Sequence, residues 1–158
     1  MRLKIMKADS AYEGPVLKLH KNGDMIDLYL TEKVELKKGQ HKIFSLGFAC
    51  KLPKGMIAKI YPRSSTFKNT GLLLTNSVGV VDNSYNGDND IWKADLYATR
   101  LVTLEEGERL LQMEIVPSMF STFFQRLKWM FSGNLKIRYV DSLSKTSRGG
   151  FGEGTEEK

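Results

Sequence analysis

Apolar and polar residues alternate with a period of two along much of this chain, the mark of strands with one face buried. Residues 2–7 read RLKIMK, 15–20 read PVLKLH and 26–30 read IDLYL, with longer strand candidates at 42–52 and 56–61. Turn formers separate them: Lys21-Asn22-Gly23-Asp24, Lys38-Gly39 and Pro53-Lys54-Gly55. Many short strands between regular turns predict an all-β sandwich or jelly-roll barrel. One segment departs from this rhythm. Over residues 118–131 the apolar positions are Met119, Phe120, Phe123, Phe124, Leu127, Met130 and Phe131, a helical spacing that Gly133 would stop. The apolar side of this helix is expected to pack on its own barrel or on a neighbouring copy; a docking surface for a partner or a membrane interface is the alternative. Strand alternation returns at 135–140. The last stretch, 142–158, is rich in Ser, Gly and Glu and reads as a mobile tail.

Composition narrows the class. A length of 158 residues fits one domain, large enough to bury a core without staples. The single cysteine, Cys50, excludes an intramolecular disulfide and suits a reducing cytosol. The first residues lack the apolar core of a secretory signal, and no apolar run reaches membrane-spanning length, so no membrane partner is expected. The formal charge of +6 suits an anionic ligand. The basic residues are scattered and form no stripe interleaved with aromatics, so a small phosphorylated ligand is expected and a nucleic acid is not.

Four clusters could carry chemistry. Pro62-Arg63-Ser64-Ser65 follows a strand candidate and offers a guanidinium fork and two hydroxyls to phosphate oxygens, although it also suits an ordinary polar turn. In the stretch 75–87 an apolar strand delivers Asp82 to its end, followed by Tyr85. A carboxylate so placed can hold and deprotonate water, or simply close an Asx turn. Gly107-Glu108-Arg109-Leu110-Leu111-Gln112 reads as a turn entering a strand. In 147–155, glycines flank Arg148 and Phe151, a composition that suits either a phosphate wrap with a stacking ring or a solvated tail.

In their order and spacing these clusters resemble the trimeric dUTPase family, which carries five short motifs across one distorted jelly-roll (β-clip) barrel. Asp27 in Ile26-Asp27-Leu28 resembles the first motif, and PRSS with Lys68 and Gly71 the second. GVVDNSYNG is similar to the third, GERLLQ to the fourth and RGGFG to the fifth. The stretch 62–92 looks like a bacterial or phage subgroup. The resemblance implies one domain over 1–146, carrying the helix as an insertion at 118–133, and a flexible arm at 147–158. It implies hydrolysis of dUTP to dUMP and pyrophosphate, limiting uracil in DNA and supplying dUMP for dTMP synthesis. Asp82 would activate the attacking water, and Asp27 would hold waters of a Mg²⁺ ion bound mainly by the triphosphate. Arg63, Ser64, Ser65 and Gln112 would serve the phosphates. Asn76 and the backbone of Gly79 to Val81 would read uracil, and Tyr85 would pack on the deoxyribose. Arg148 and Phe151 would close over the nucleotide from another subunit of a homotrimer.

The chain departs from the family pattern in several places. Met25 precedes the first motif where a small Gly is usual. Ser65 stands where the second motif usually has Gly. Glu153 replaces a small polar residue in a shortened fifth motif, and the helix at 118–131 has no family counterpart. Two other readings share the scaffold. A dCTP deaminase would use a carboxylate near the cytosine amino group, with Asp95 the nearest. A regulatory protein would bind a partner through the inserted helix.

Overall fold

The computed structural model describes residues 1–9, 11–20, 23–133 and 135–145. Twelve strands and two short helices build three sheets among these residues. One five-stranded sheet runs β12 (Lys136–Tyr139), β1 (Arg2–Lys7), β5 (His41–Lys51), β9 (Ile91–Ala98), β7 (Leu72–Leu74). The other runs β2 (Leu17–Leu19), β3 (Ile26–Tyr29), β11 (Arg109–Pro117), β6 (Met56–Pro62), β8 (Gly79–Val81), and a small ribbon pairs β10 (Val102–Leu104) with β4 (Val34–Leu36). Neighbouring strands are antiparallel except β1 with β12. The mostly antiparallel, layered architecture meets the all-β jelly-roll expectation.

Alternation translates directly into burial. In β1 Leu3 and Ile5 point inward, and in β9 Trp92, Ala94, Leu96 and Ala98 do. β5 is different: residues 46–50 are all buried, so this stretch of the central strand is covered on both faces as well as paired along its edges. Phe44, Phe48 and Trp92 centre the core, with the Phe48 and Trp92 rings 5.2 Å apart. Each such side chain contributes ~1.5–3 kcal/mol relative to exposure. Cys50 is buried in this core, and burial pushes its thiol up to about 12, so it is an apolar filler rather than a nucleophile. No helix among the described residues is long and apolar enough to cross a membrane.

The inserted helix forms, but shorter and turned the other way round. α2 spans Phe123–Met130, with Thr122 and Gln125 making a reciprocal capping box at its start. Residues 118–121 are held instead as a turn by Ser121 N on Ser118 O and by the Arg126 guanidinium on the Ser118 and Met119 carbonyls. Gly133 adopts a left-handed φ of 54° beyond the helix, as the stop signal requires. The expectation that the apolar side packs on its own barrel is not met. The docked side carries Gln125, which lies over Gly55, and Trp129, whose indole N–H donates to Ile115 O at 3.1 Å. At 100° per residue, Phe123, Phe124, Leu127, Met130 and Phe131 occupy the opposite arc. Phe123, Phe124, Met130 and Phe131 are 71%, 77%, 67% and 78% exposed. A side chain at Gly55 would be strained by its φ of +80° and would push aside the Gln125 amide, whose Oε1 lies 2.5 Å from a Cβ built there.

The reading of 142–158 as a mobile tail is corrected at its start. Asp88 accepts hydrogen bonds from Leu143 N at 2.6 Å, Ser142 Oγ at 2.8 Å and Ser144 N at 3.0 Å, while Asp88 N donates back to Ser144 O. These donors, the Leu143 amide first, hold the Asp88 carboxyl below its ordinary value. A depressed folded pKa gives stability that is complete above the unfolded value and lost as pH falls through the folded one. Protection of the Leu143 and Ser144 amides, relative to the unstructured rate at each pH, should therefore persist at neutral pH and be lost only below about pH 4. Asp88→Ala should remove that protection at every pH, so that both amides exchange at the unstructured rate by NMR hydrogen exchange.

Candidate active site

The sheet that contains β6 carries the predicted site residues at its two ends. At one end β3, β11 and β6 place Asp27, Gln112 and Tyr61 side by side in register. Asp27 is only 3% exposed, because all four residues of β3 are buried. A buried carboxylate needs partners, and it has three. Arg63 Nε lies 3.1 Å from Oδ1, Arg109 Nη1 3.0 Å from Oδ2, and His20 Nε2 2.7 Å from Oδ2. Gln112 Nε2 donates to Pro62 O at 3.4 Å, beside this cluster. Arg63 leads into Ser64 and Ser65. Ser64 is exposed, and Ser65 sits at the start of α1 (Thr66–Thr70) without a side-chain capping bond. Thr66 anchors the turn through its hydroxyl on Leu110 O, and Gly71 ends α1 with a left-handed φ of 73°.

At the other end, β8 pairs with β6 and delivers Asp82 one residue beyond Val81. Asp82 Oδ1 accepts from Ser84 N at 2.8 Å and from the Ser84 hydroxyl, so the Asx turn that the sequence allowed is formed. The turn holds the carboxylate in place without burying it. Asn83 clamps the same turn by donating from Nδ2 to Leu52 O at 2.7 Å and Pro53 O at 3.1 Å. The Tyr85 hydroxyl donates to Ile91 O at 3.1 Å, which fixes the ring against the core edge. Burial, then the nearby Asp90, raises its pKa. Gly79 is buried against Ile60, where a Cβ would come within 3.2 Å of Ile60 Cβ and 3.8 Å of Asn76 Nδ2. A side chain there would close the space beside Asn76, which is itself exposed between β7 and β8.

These two groups do not meet in one copy. Val81 lies opposite Ala58, five residues before Arg63 along β6. At ~3.3 Å per residue that is ~16 Å, and Asp82 lies farther still. The residues of 75–85 thus form one constellation, and Asp27, Arg63, Ser64, Ser65 and Gln112 another. Arg148 and Phe151 lie outside the described residues. A groove of about 670 Å³ lined by Lys7, Gly14, Pro15 and Tyr139 contains none of the site residues.

Residues 13–125 match the model of the dUTPase family. This chain belongs to that family. The dUTPase match takes in the first four motifs and ends inside α2. A relative, the SPbeta prophage-derived deoxyuridine 5'-triphosphate nucleotidohydrolase YosS of Bacillus subtilis, is 41% identical over 130 residues, 82% of each chain. The dUTPase of Streptococcus mutans superposes with a TM-score of 0.60 at 27% identity, covering 67% of this chain and 88% of that one. The D95N mutant dUTPase from phage phi11 of S. aureus superposes with a TM-score of 0.65 at 17% identity, covering 77% of this chain and 94% of that one, a likeness of fold. Membership of the dUTPase family disfavours the deaminase alternative. Asp95, its candidate carboxylate, is occupied by His41 Nδ1 at 3.0 Å and the Thr75 hydroxyl at 3.2 Å.

The sequence reading missed three residues. Arg109 lay inside the GERLLQ cluster but had no visible partner. His20 ended a strand with no signal at all, and its role arises from the β2–β3 register. Asn83 lay inside the GVVDNSYNG stretch with no role of its own, whereas its amide ties Asp82's turn to the 52–53 backbone. Removing the charge at Asp27 would leave Arg63, Arg109 and His20 facing a neutral amide. Asp27→Asn should lower unfolding stability by about 3 kcal/mol, the lower end for breaking a buried pair, since both arginines are partly exposed. Urea denaturation measures this.

Proposed function

We propose that this chain hydrolyses dUTP to dUMP and pyrophosphate, in sites completed by neighbouring copies of a homotrimer. The observation that carries the reading is Asp82, held by its turn at the open end of β8 beside Tyr85, Gly79 and Asn76. Asp82 takes a proton from water, and that water attacks the α-phosphorus. The bond from this phosphorus to the bridging oxygen breaks, and pyrophosphate leaves. Positioning and charge supply most of the acceleration in such a displacement.

The backbone from Gly79 to Val81 and the Asn76 amide read the uracil edge. Tyr85, its hydroxyl tied down, presents its ring to the deoxyribose and leaves no room for a 2′-hydroxyl. The separation along β6 supports a shared site, because one triphosphate cannot reach from Asp82 to Arg63 of the same copy. Arg63, Ser64, Ser65 and Gln112 of a neighbour then hold the phosphates. Arg148 and Phe151, on an arm at 147–158 attached to the domain at 1–146, close over γ-phosphate and base.

Magnesium fits this residue set only as a substrate-borne ion. No group of three or more metal-ligating side chains occurs among the described residues. Three of the roughly four lone-pair positions of Asp27 are occupied by Arg63, Arg109 and His20. Asp27 therefore has room for one water of an ion carried in by the triphosphate, not for a cage. Bound there, Mg²⁺ would neutralise charge on the phosphate oxygens. The reaction would limit uracil in DNA and supply dUMP for dTMP synthesis in a bacterial or phage-infected cytosol.

A nucleotide panel of dUTP, dUDP, dCTP, dTTP and UTP tests the substrate: pyrophosphate should appear from dUTP alone, with no ammonia from dCTP. Asp82→Asn should lower turnover ~10²–10⁴-fold, the contribution of a positioned base, while dUTP binding by calorimetry stays within a few-fold. Turnover surviving within a few-fold would remove Asp82 as the base. Ending the chain before Ser147 should cut turnover and leave the fold and assembly intact. An unchanged rate would show that the arm plays no part in catalysis.

A further inference from the structure

We infer that the outward apolar arc of α2 is covered by a second copy of this chain, in the same assembly that completes the active site. The inference rests on the shared-site reading and extends it to an element that the five motifs do not include.

The helix is docked by the wrong side for a core helix. Gln125 and Trp129 face the barrel, while Phe123, Phe124, Met130 and Phe131 face away, and the preceding turn adds Met119 and Phe120. These six side chains are 67–86% exposed. At ~200 Å² per large side chain they present roughly 900 Å² of apolar surface. That matches the ~800 Å² each partner contributes to a standard stable interface. The Phe123 and Phe124 rings already pack edge to face, with centroids 5.7 Å apart, so part of the ridge is pre-ordered.

Position selects the occupant. α2 follows β11 at the Met56 end of β6, where Ser118 N donates to Gly55 O and Gln125 lies over Gly55. The adjoining 52–53 backbone is the acceptor for Asn83, beside Asp82. The helix that carries the patch therefore sits at the end of the sheet that a neighbour must approach to bring its Arg63 and Gln112 to Asp82. Such a contact is head-to-tail, and a closed ring of three satisfies it.

Charge agrees with this pairing. Between residues 118 and 140 there are four basic residues, Arg126, Lys128, Lys136 and Arg138, and no acidic one. The opposite end of the sheet carries Glu105, Glu106 and Glu108 in the turn before Arg109, with Glu105 and Glu106 exposed. A second copy arriving by that end, where Glu105 already pairs with Lys33 at 2.6 Å, sets Glu106 against Arg126 and Lys128 of α2.

The test is sedimentation of the full chain and of a Phe123→Ser/Phe124→Ser variant, with far-UV circular dichroism and thermal melts to confirm that the exposed changes leave the fold intact. The expected result is an assembled wild type and a folded variant that sediments as a monomer at micromolar concentration. The variant's dUTP turnover per copy should fall at least ten-fold and recover as its concentration rises. A variant with wild-type mass and turnover would overturn the inference while leaving the dUTPase reading untouched. Pelleting of wild type, but not variant, with phosphatidylglycerol vesicles, at unchanged mass, would also overturn it and make the ridge a lipid contact. Dissociation of the variant alongside a wild type inactive on dUTP would uphold the interface and sink the shared-site reading instead.

Discussion

Strand β6 is hydrogen bonded along both edges, to β11 and to β8, and that double pairing sets the spacing of everything chemical in this protein. Its far end leads into Arg63 and the serine turn; its near end lies beside the strand that carries Asp82. A strand paired on both sides cannot shorten or bend to bring its ends together. The two groups of residues are therefore held apart in one copy, which is the constraint behind the proposal that neighbouring copies complete the site.

Each end holds its carboxylate differently, and the difference follows from burial. Asp27 lies on a strand buried along its whole length, so its charge is met by two guanidinium groups and an imidazole. That network orients Arg63 and, with it, the serine turn, making Asp27 a structural centre. Asp82 lies at a strand end where the backbone turns, so it accepts local hydrogen bonds from Ser84 and the carboxylate stays partly exposed. Asn83 then ties this turn to the 52–53 backbone, the same region on which α2 rests.

The all-β architecture was legible because strands buried on one face imprint a period of two, as in 2–7 and 56–61, and the turns carry Gly, Asn and Pro. The site was legible as a set of motifs but not as a geometry. GVVDNSYNG announces an Asp at a strand end whatever the fold does elsewhere. Nothing local announces that His20 and Arg109 converge on Asp27, because those contacts come from register between strands far apart in the chain. The root of the C-terminal tail was misread for the same reason: 142–145 has the composition of a solvated segment, and a remote carboxylate, Asp88, captures it.

The residues by themselves determined that a strand-rich chain would carry a carboxylate, an aromatic ring and an Arg-Ser-Ser turn at strand ends, and that a helix would form before Gly133. Those are consequences of side-chain periodicity and turn chemistry, which act over a few residues. Only the tertiary structure decided which way that helix faces, which groups neutralise Asp27, and how far Asp82 stands from Arg63. Those outcomes depend on packing and register across the sheets, where the competing partners are set by the whole fold and not by near neighbours in the chain.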